Sequence, residues 1–397
     1  MPNKELLLIP GPTPVTDEIR EALAAETWSH TDPRYVKIFA RSLQMTRELL
    51  GNSDGEVFIV AGSGTLAMEM ALVNTVAPGE RILVLSQGFF GDRFVPLAES
   101  FGIEVDVIKS EWGQRVDPTE VEAKLNQHEY KAVTITHVDT STGVEADLET
   151  LVPLIKQRGA LLILDGVCAT AGIAEDMSYA YQGNPDYKLD VVLTGSQKAI
   201  GVPPGLLLLG FNQAALQARQ AMERIPAYYG DIKNWLPIMQ DPGKYFATPA
   251  VNMVYAFEKS LTRIMEEGLE QRYRRHRAMG RAVRAALETF GMKAVADESV
   301  AAPTLSCILY PSGVQDAAFR AALAQRGVIV AGALASLAGK AFRIGHMGNT
   351  SLDDLKRALR IMAEVLNELG QAADGDRAVQ KLERVYEENM RQAGGDS

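Results

Sequence analysis

The chain has 397 residues, of which 47% are hydrophobic and 23% charged, values typical of a folded globular protein rather than a disordered one. Acidic residues outnumber basic ones by 50 to 40, so the formal net charge is −10, which disfavours a nucleic-acid-binding protein. The two cysteines cannot form a disulfide framework, and no HExxH or CxxC spacing indicates a zinc site.

The N-terminus lacks the basic and apolar regions of a secretory signal. The longest apolar runs are far shorter than the roughly 20 residues of a membrane span. These features predict a cytoplasmic protein with no membrane partner, no nucleic-acid partner and no metal. The length allows one large core with a smaller companion.

The central third of the chain alternates short apolar strands with helical patterns. Helices are predicted over 65–76, 118–125 and 148–158, and strands over 57–60, 81–86, 104–108, 132–136, 161–164, 191–194 and 206–209. Strands that are apolar on both faces and alternate with helices are typical of a parallel or mixed sheet. We therefore expect an α/β fold here.

The last third has a different character. A long helix is predicted over 251–290, with later strands and helices that form an α+β unit: strands over 306–310, 328–330 and 341–344, helices over 315–325 and 351–369. We place the boundary near 255–265. Because the whole chain is acidic, the arginine cluster 272–277 favours a solvated helix face over a polyanion site. The tail is predicted to carry a short, loose helix over 377–390.

Candidate ligand-binding residues follow the predicted strands, because open α/β sheets bind ligands where their strands end. Ser63, Gly64 and Thr65 come after the strand 57–60 and open a helix. Small residues, hydroxyls and free N–H groups at a helix start favour a phosphate. The same residues also cap ordinary helices, so both interpretations stay open.

Two ionisable residues follow later strands. Asp165 ends the strand 161–164, where a carboxylate needs a cationic or N–H partner, although a helix cap is an equal alternative. Lys198 precedes a Gly- and Pro-rich loop and suits Schiff-base chemistry, with an exposed loop lysine as the alternative. A phosphate cradle, a strand-end aspartate and a lysine 33 positions later (198 − 165) match the needs of pyridoxal 5′-phosphate.

With these residues in view, the chain resembles the class V aminotransferases of pyridoxal-phosphate fold type I, in the branch of the alanine–glyoxylate and serine–pyruvate enzymes. The resemblance runs from Pro10 to about Leu369. It rests on 196–199 (SQKA) followed by 203–205 (PPG). Supporting motifs are GSGT at 62–65, GFFGDR at 88–93, HVDTSTG at 137–143 and FRIG at 342–345.

The resemblance implies the domain organisation. A large cofactor-binding domain over 21–260 would hold a mostly parallel, seven-stranded sheet between helices. A smaller C-terminal α+β domain would cover 261–370. An N-terminal segment, 1–20, would pack with the smaller domain, and 371–397 would be a charged tail. The family also implies a homodimer with shared active sites.

The resemblance further implies roles around the cofactor ring and the substrate. Lys198 would be the Schiff-base lysine and Asp165 would keep the pyridine nitrogen protonated. Phe90 would stack on the ring and Thr140 would sit near the ring hydroxyl. Arg343 would bind the substrate carboxylate. Core packing for Phe90 and a structural ion pair for Arg343 are the alternatives.

Other roles implied by the resemblance concern the cofactor phosphate. The residues that would face it within one subunit are Ser63, Gly64, Thr65 and Gln197. Tyr245 and Thr248 would reach the phosphate of the cofactor in the neighbouring subunit. Their alternative is a common Thr-Pro turn.

The expected activity is therefore transfer of an amino group from alanine or serine to glyoxylate or pyruvate. Three alternatives stay open: transamination of ureidoglycine, a cysteine desulfurase or lyase reaction, and a non-catalytic cofactor-binding partner protein. Cys168 lies three residues after Asp165, and Cys307 lies in an apolar run, so neither resembles a presented nucleophile. Phe90 stands where tryptophan is frequent in the family, and it should still stack on the ring. Thr31 stands where many members of the family have an arginine, and this departure bears on substrate identity rather than on reaction type.

Overall fold

The structure, a computed structural model, describes residues 5–392. Its strands are β1 (Leu6–Leu7), β2 (Glu56–Ala61), β3 (Arg81–Ser86), β4 (Glu104–Lys109), β5 (Ala132–Thr136), β6 (Val138–Asp139), β7 (Val144–Glu145), β8 (Leu161–Asp165), β9 (Val191–Gly195), β10 (Leu206–Phe211), β11 (Lys293–Ala294), β12 (Leu305–Leu309), β13 (Val328–Ile329), β14 (Ala331–Gly332) and β15 (Ala341–Gly345).

Helices cover the sheets and connect the strands. They are α1 (Asp17–Leu23), α2 (Pro33–Leu49), α3 (Gly64–Val73), α4 (Phe89–Asp92), α5 (Phe94–Ser100), α6 (Pro118–Gln127), α7 (Leu148–Lys156), α8 (Gln213–Ala221), α9 (Ile232–Gln240), α10 (Val251–Glu267), α11 (Leu269–Glu288), α12 (Asp316–Gln325), α13 (Leu352–Glu368) and α14 (Gly375–Gln392). Two single-turn 3₁₀ helices lie at Tyr181–Gly183 and Ala335–Leu337.

Seven strands form the large sheet in the order β2-β10-β9-β8-β5-β3-β4. β10 is antiparallel to both of its neighbours, and every other pairing in this sheet is parallel. The central strands β5, β8, β9 and β10 are buried along their whole length, as expected of strands covered on both faces. The predicted α/β class with a mostly parallel sheet is confirmed.

A second hydrophobic core forms around the C-terminal part of the chain. There β11, β12, β15 and β14 make a four-stranded antiparallel sheet. The N-terminal strand β1 pairs with β13 of this region, and the Gly345 N–H donates to the Leu8 carbonyl over 2.8 Å. Leu6 and Leu8 are buried in the second core, so this N-terminal segment packs with the C-terminal part of the chain.

The helix predicted over 251–290 is in fact two helices. α10 and α11 meet at Gly268, whose φ of +81° is readily adopted only by glycine. The prediction of a solvated arginine face on α11 is also wrong for Arg272, which is 4% exposed. Its N–H groups donate to backbone carbonyls of other segments and to a carboxylate. A charge pattern in the sequence does not show such partners.

The C-terminal tail is more ordered than expected. α14 begins at Gly375 and buries Ala378, Val379 and Leu382 in the second core, against α11 and α13. The predicted helix is present, but it is docked rather than loose, because its apolar residues recur on one face. The chain end at 393–397, expected to fray, lies outside the described residues. Within 5–392, no helix has both the length and the apolarity needed to cross a bilayer.

The docking of α14 can be tested by shortening one side chain. We expect Leu382→Ala to lower the free energy of unfolding by about 2–4 kcal/mol, because this leucine is fully buried. Glu388→Ala, an exposed position on the same helix, should change it by less than about 0.5 kcal/mol. Urea unfolding followed by circular dichroism provides the measurement. Equal midpoints for both variants would mean that α14 does not pack in solution.

Candidate active site

Several turns of the large sheet meet at one cleft of about 850 Å³. Because the parallel strands run in one direction, the segments that follow them reach the same edge of the sheet. Eight predicted site residues line the cleft: Ser63, Gly64, Thr65, Phe90, Thr140, Asp165, Gln197 and Lys198. The structure therefore brings together residues that are up to 135 positions apart in the chain (198 − 63).

Lys198 lies in the turn after β9, beneath the N-terminal segment. Its Nζ donates to the Pro10 carbonyl, and the Thr13 hydroxyl donates to the Lys198 carbonyl over 2.7 Å. A Cβ on Gly11 would lie 2.5 Å from Lys198 Cδ, so the lysine side chain would have to move, and the φ of +121° at Gly11 would strain a residue other than glycine. The sequence analysis did not count 10–13 among the site residues, although its run of prolines and glycine was the available signal.

Asp165 ends β8 and is buried. The Val167 N–H donates to its Oδ1 over 2.9 Å, and no other donor to this carboxyl is found among residues 5–392. Burial raises its pKa to about 7, and the negative charges of Asp139 and Glu175 add to that rise. A buried carboxyl with so few donors ionises readily only when a cation meets it.

The start of α3 provides donors for an anion. Ser63 Oγ accepts from the Leu66 N–H over 3.3 Å, so Ser63 does cap the helix, while the N–H groups of Gly64 and Thr65 have no intrahelical acceptor. Arg93 also lines the cleft and donates from Nη1 to Thr65 Oγ1 over 3.2 Å. In the described part of the chain, no carboxylate forms an ion pair with Arg93. This end of the cleft is therefore suited to an anion.

Asp139 is a buried carboxylate that the sequence analysis missed. It accepts from the N–H groups of Phe90 and Gly91, both over 3.0 Å, and from the N–H and hydroxyl of Ser141. These bonds fix the start of α4 and so the position of the Phe90 ring, over which the Arg93 guanidinium lies at 4.8 Å. Its place at the end of β6, comparable to that of Asp165 in β8, was a usable signal.

Arg343 extends from β15 of the second core to Thr140, a residue that lines the cleft, but it is not itself among the residues that line it. Its Nε donates to the Gly332 carbonyl over 2.9 Å, and its Nη1 lies 3.5 Å from the carbonyl oxygen of Thr140. Burial lowers the pKa of this guanidinium. No carboxylate within residues 5–392 forms an ion pair with it, so the alternative of a structural ion pair has no partner there. A partly buried cation without an anion is suited to bind one.

Tyr245 and Thr248 lie outside this cleft. They occupy the segment between α9 and α10, where their hydroxyl oxygens are 3.3 Å apart, and the Tyr245 ring is 5.1 Å from that of His30. Tyr245 is 61% exposed. Their predicted role toward a neighbouring subunit remains a prediction.

Neither cysteine is presented as a nucleophile. Both Cys168, which lines the cleft, and Cys307, which lies in β12, are buried. Burial raises the pKa of each thiol, to about 12 for Cys307, so both stay protonated near neutral pH. Over the described residues, no cluster of three or more His, Cys, Asp or Glu side chains could hold a metal ion.

Comparison with known proteins agrees with the geometry. Residues 16–347 match the family model for class V aminotransferases. Alanine–glyoxylate aminotransferase 1 of Saccharomyces cerevisiae is 34% identical over 87% of this chain and 93% of its own length. Serine–glyoxylate aminotransferase of Methylorubrum extorquens is 31% identical over 88% of this chain and 87% of its own length.

Among solved structures, ureidoglycine–glyoxylate aminotransferase from Bacillus subtilis superposes with a TM-score of 0.89 at 26% identity. The match covers 98% of this chain and 99% of that one. The likeness therefore includes both the large sheet and the second core.

The raised pKa of Asp165 predicts a pH-dependent effect on stability. Between about pH 4 and 7 the unfolded carboxyl loses its proton while the folded one keeps it, so the folded state loses stability as the pH rises. In the ligand-free protein, Asp165→Asn should therefore be more stable than wild type at pH 8, by at most about 4 kcal/mol, and show no advantage near pH 4.

Thermal unfolding across this pH range checks the prediction. Asp54→Asn, an exposed position, serves as control and should follow wild type throughout. A constant difference between Asp165→Asn and wild type at all pH values would contradict the raised pKa.

Proposed function

The chain belongs to the class V aminotransferases, and on that premise we propose that it transfers an amino group from L-alanine or L-serine to glyoxylate or pyruvate, with pyridoxal 5′-phosphate bound at Lys198. The observation that carries the proposal is that Lys198, Asp165 and the first turn of α3 line one cleft. The two donors and the acceptor glyoxylate are supported by the named activities of the yeast and Methylorubrum relatives.

The anion-binding end of the cleft fits the cofactor phosphate. Gly64 and Thr65 have N–H groups without an intrahelical acceptor, and Ser63 and Gln197 line the same wall. The Arg93 guanidinium adds a positive charge beside Thr65. A doubly charged phosphate at this helix start would meet backbone donors, hydroxyls and one cation.

The middle of the cleft fits the cofactor ring. The buried Asp165 carboxyl accepts no hydrogen bond from a cationic side chain within residues 5–392, and a protonated pyridine nitrogen would add a positive charge there and lower the raised pKa. Phe90 would cover one face of the ring, and Thr140 would lie beside the ring hydroxyl. When bound, pyridoxal phosphate supplies an electron-withdrawing ring conjugated to the substrate nitrogen, which makes the substrate Cα–H acidic.

Two side chains of this protein would act on the substrate. Arg343 would bind the α-carboxylate through two parallel hydrogen bonds and so orient the Cα–H bond. The Lys198 amine, released from its contact with the Pro10 carbonyl, would accept the Cα proton at Nζ and later return a proton as a general acid.

The proposal includes a homodimer whose active sites are shared. Tyr228 is 77% exposed and Tyr245 61% exposed, and both belong to the segments that flank α9. Exposed large aromatic side chains are typical of surfaces that bind another protein. A second copy of the chain placed there would bring Tyr245 and Thr248 to the neighbouring phosphate.

One further candidate activity is favoured by a specific observation. The Bacillus ureidoglycine–glyoxylate aminotransferase matches this chain almost end to end, so ureidoglycine is a second candidate donor. A desulfurase is disfavoured because both cysteines are buried. A non-catalytic protein is disfavoured because Lys198 and Asp165 line one cleft, and Arg343, which forms no ion pair with a carboxylate within residues 5–392, lies beside it.

Spectroscopy of the cofactor-loaded protein tests the proposal. L-alanine or L-serine without an oxo acid should remove the visible absorption band that arises from attachment to Lys198, and glyoxylate should restore it. Lys198→Ala should lack that band. If only ureidoglycine changes the band, the second candidate is correct; if no cofactor binds, the proposed function fails.

Replacing the carboxylate-binding arginine gives a kinetic prediction. We expect Arg343→Gln to raise KM for L-alanine at least about tenfold, because two charge-assisted hydrogen bonds to the α-carboxylate are lost. Arg343→Lys should recover only part of this, since lysine cannot bind in the same two-pronged way. Arg360→Gln, an exposed position, is the control. Steady-state kinetics with saturating glyoxylate gives the values; an unchanged KM in Arg343→Gln would exclude this role.

A further inference from the structure

Arg272 of α11 makes hydrogen bonds to three separate segments of the chain. Its Nε donates to the Ala171 carbonyl over 2.7 Å and its Nη2 to the Ala199 carbonyl over 2.6 Å. Its Nη1 donates to the Glu267 carboxylate over 2.6 Å. Only 4% of the residue is exposed, so these bonds replace its hydration.

Arg275, one turn away on α11, extends the same cluster. Its Nε donates to Glu267 over 2.6 Å, and its Nη2 donates to the Gly348 carbonyl over 3.2 Å. The Gly348 N–H in turn donates to His276 Nε2 over 2.9 Å. We call Glu267, Arg272 and Arg275 the arginine clasp, because together they hold three backbone carbonyls to α11.

Each of the three carbonyls lies close in sequence to a residue of the proposed reaction. Ala199 directly follows Lys198, and Ala171 lies in the turn that follows Asp165. Gly348 lies five positions after Arg343. A Cβ on Gly348 would be 3.2 Å from the Lys198 carbonyl oxygen, so the third segment also packs on the lysine turn.

One carboxylate lies between the two guanidinium groups of the clasp and offsets part of their positive charge. Burial, reinforced by the charge of Arg275, lowers the pKa of Arg272 to about 10, so its guanidinium still stays ionised near neutral pH. Burial opposes ionisation of Glu267 as well, but hydrogen bonds from Arg275 and the charges of both arginines outweigh it and lower the pKa of Glu267. The rigid guanidinium fork of Arg272 can bind two carbonyls and a carboxylate at once, which no apolar residue could do.

We infer that the arginine clasp is a positioning device, which sets the relative orientation of Lys198, Asp165 and Arg343 by fixing the turns that carry them. The inference rests on the proposed function for its catalytic consequence, but not for its structural one. Arg272 itself does not line the cleft and touches no predicted ligand. Its effect on the reaction is indirect, through the backbone on both sides of the cleft.

Hydrogen–deuterium exchange of the full-length, cofactor-free protein tests the structural part. In Arg272→Gln we expect amides within 166–173 and 196–202 to exchange about tenfold faster, because both turns lose a carbonyl contact. The matched control is Arg219→Gln. Arg219 is also buried, and it also binds one carboxylate (Asp231) and one carbonyl (Met222), but on α8, away from the cleft.

Kinetics of the cofactor-loaded variants tests the catalytic part. We expect Arg272→Gln to lower kcat about 10- to 100-fold, while Arg219→Gln, with a comparable loss of thermal stability, stays within about twofold of wild type. Arg272→Lys keeps the charge beside Glu267 but cannot reach both carbonyls, so it should lie in between. If Arg272→Gln does not fold, Arg272→Lys takes its place in every measurement.

Two outcomes would overturn the inference. The first is unchanged exchange at both turns in the Arg272 variants, or equal acceleration there in Arg219→Gln. The second is a kcat that falls no more in the Arg272 variants than in Arg219→Gln. If wild type itself fails to act on alanine, serine or ureidoglycine, the proposed function fails, whereas the exchange experiment still decides whether the clasp holds the turns.

Discussion

Burying an ionised carboxylate where parallel strands end is unfavourable in free energy unless a cation lies beside it. The residues of the cleft are arranged around this constraint. Asp165 has one backbone donor and a pKa raised to about 7, so ionisation of its carboxyl depends on what is placed opposite it. β9 pairs with β8, which brings the turn of Lys198 beside Asp165. The same edge receives the start of α3 and its free N–H donors, so one sheet edge combines an acid, an amine and an anion site.

The second core adds further residues to the site formed by the large sheet. It contributes Arg343 from β15, and it anchors β1, from which the chain runs across the cleft at 10–13. Gly11 lets that segment approach the Lys198 side chain so closely that a Cβ there would displace the lysine side chain. A substrate carboxylate at Arg343 and a proton acceptor at Lys198 therefore depend on how the two cores sit together, and the arginine clasp lies where α11 meets the turns of the large sheet.

The arginines of this chain have different roles, which depend on how buried each side chain is and on which groups it contacts. Arg272 is buried, and each of its three guanidinium nitrogens donates to a carbonyl or a carboxylate, so this side chain connects segments of the fold. Arg93 lines the cleft and Arg343 lies beside it, and among the described residues neither forms an ion pair with a carboxylate. Their open donors suit anionic ligands, one beside the helix start and one beside Thr140. A guanidinium group can thus either connect segments of the fold or bind a ligand, depending on the groups that surround it.

The sequence by itself determined the α/β class, the order of the central strands along the chain and the turns that carry Ser63, Asp165 and Lys198. It could do so because apolar runs mark buried strands, and parallel strands place their following turns at one edge. Only the tertiary structure decided the break at Gly268, the docking of α14, the approach of Gly11 to Lys198 and the partners of Arg272. Each of these depends on contacts between segments far apart in the chain, and local hydrophobic or charge patterns carry no information about which distant segment a side chain will meet.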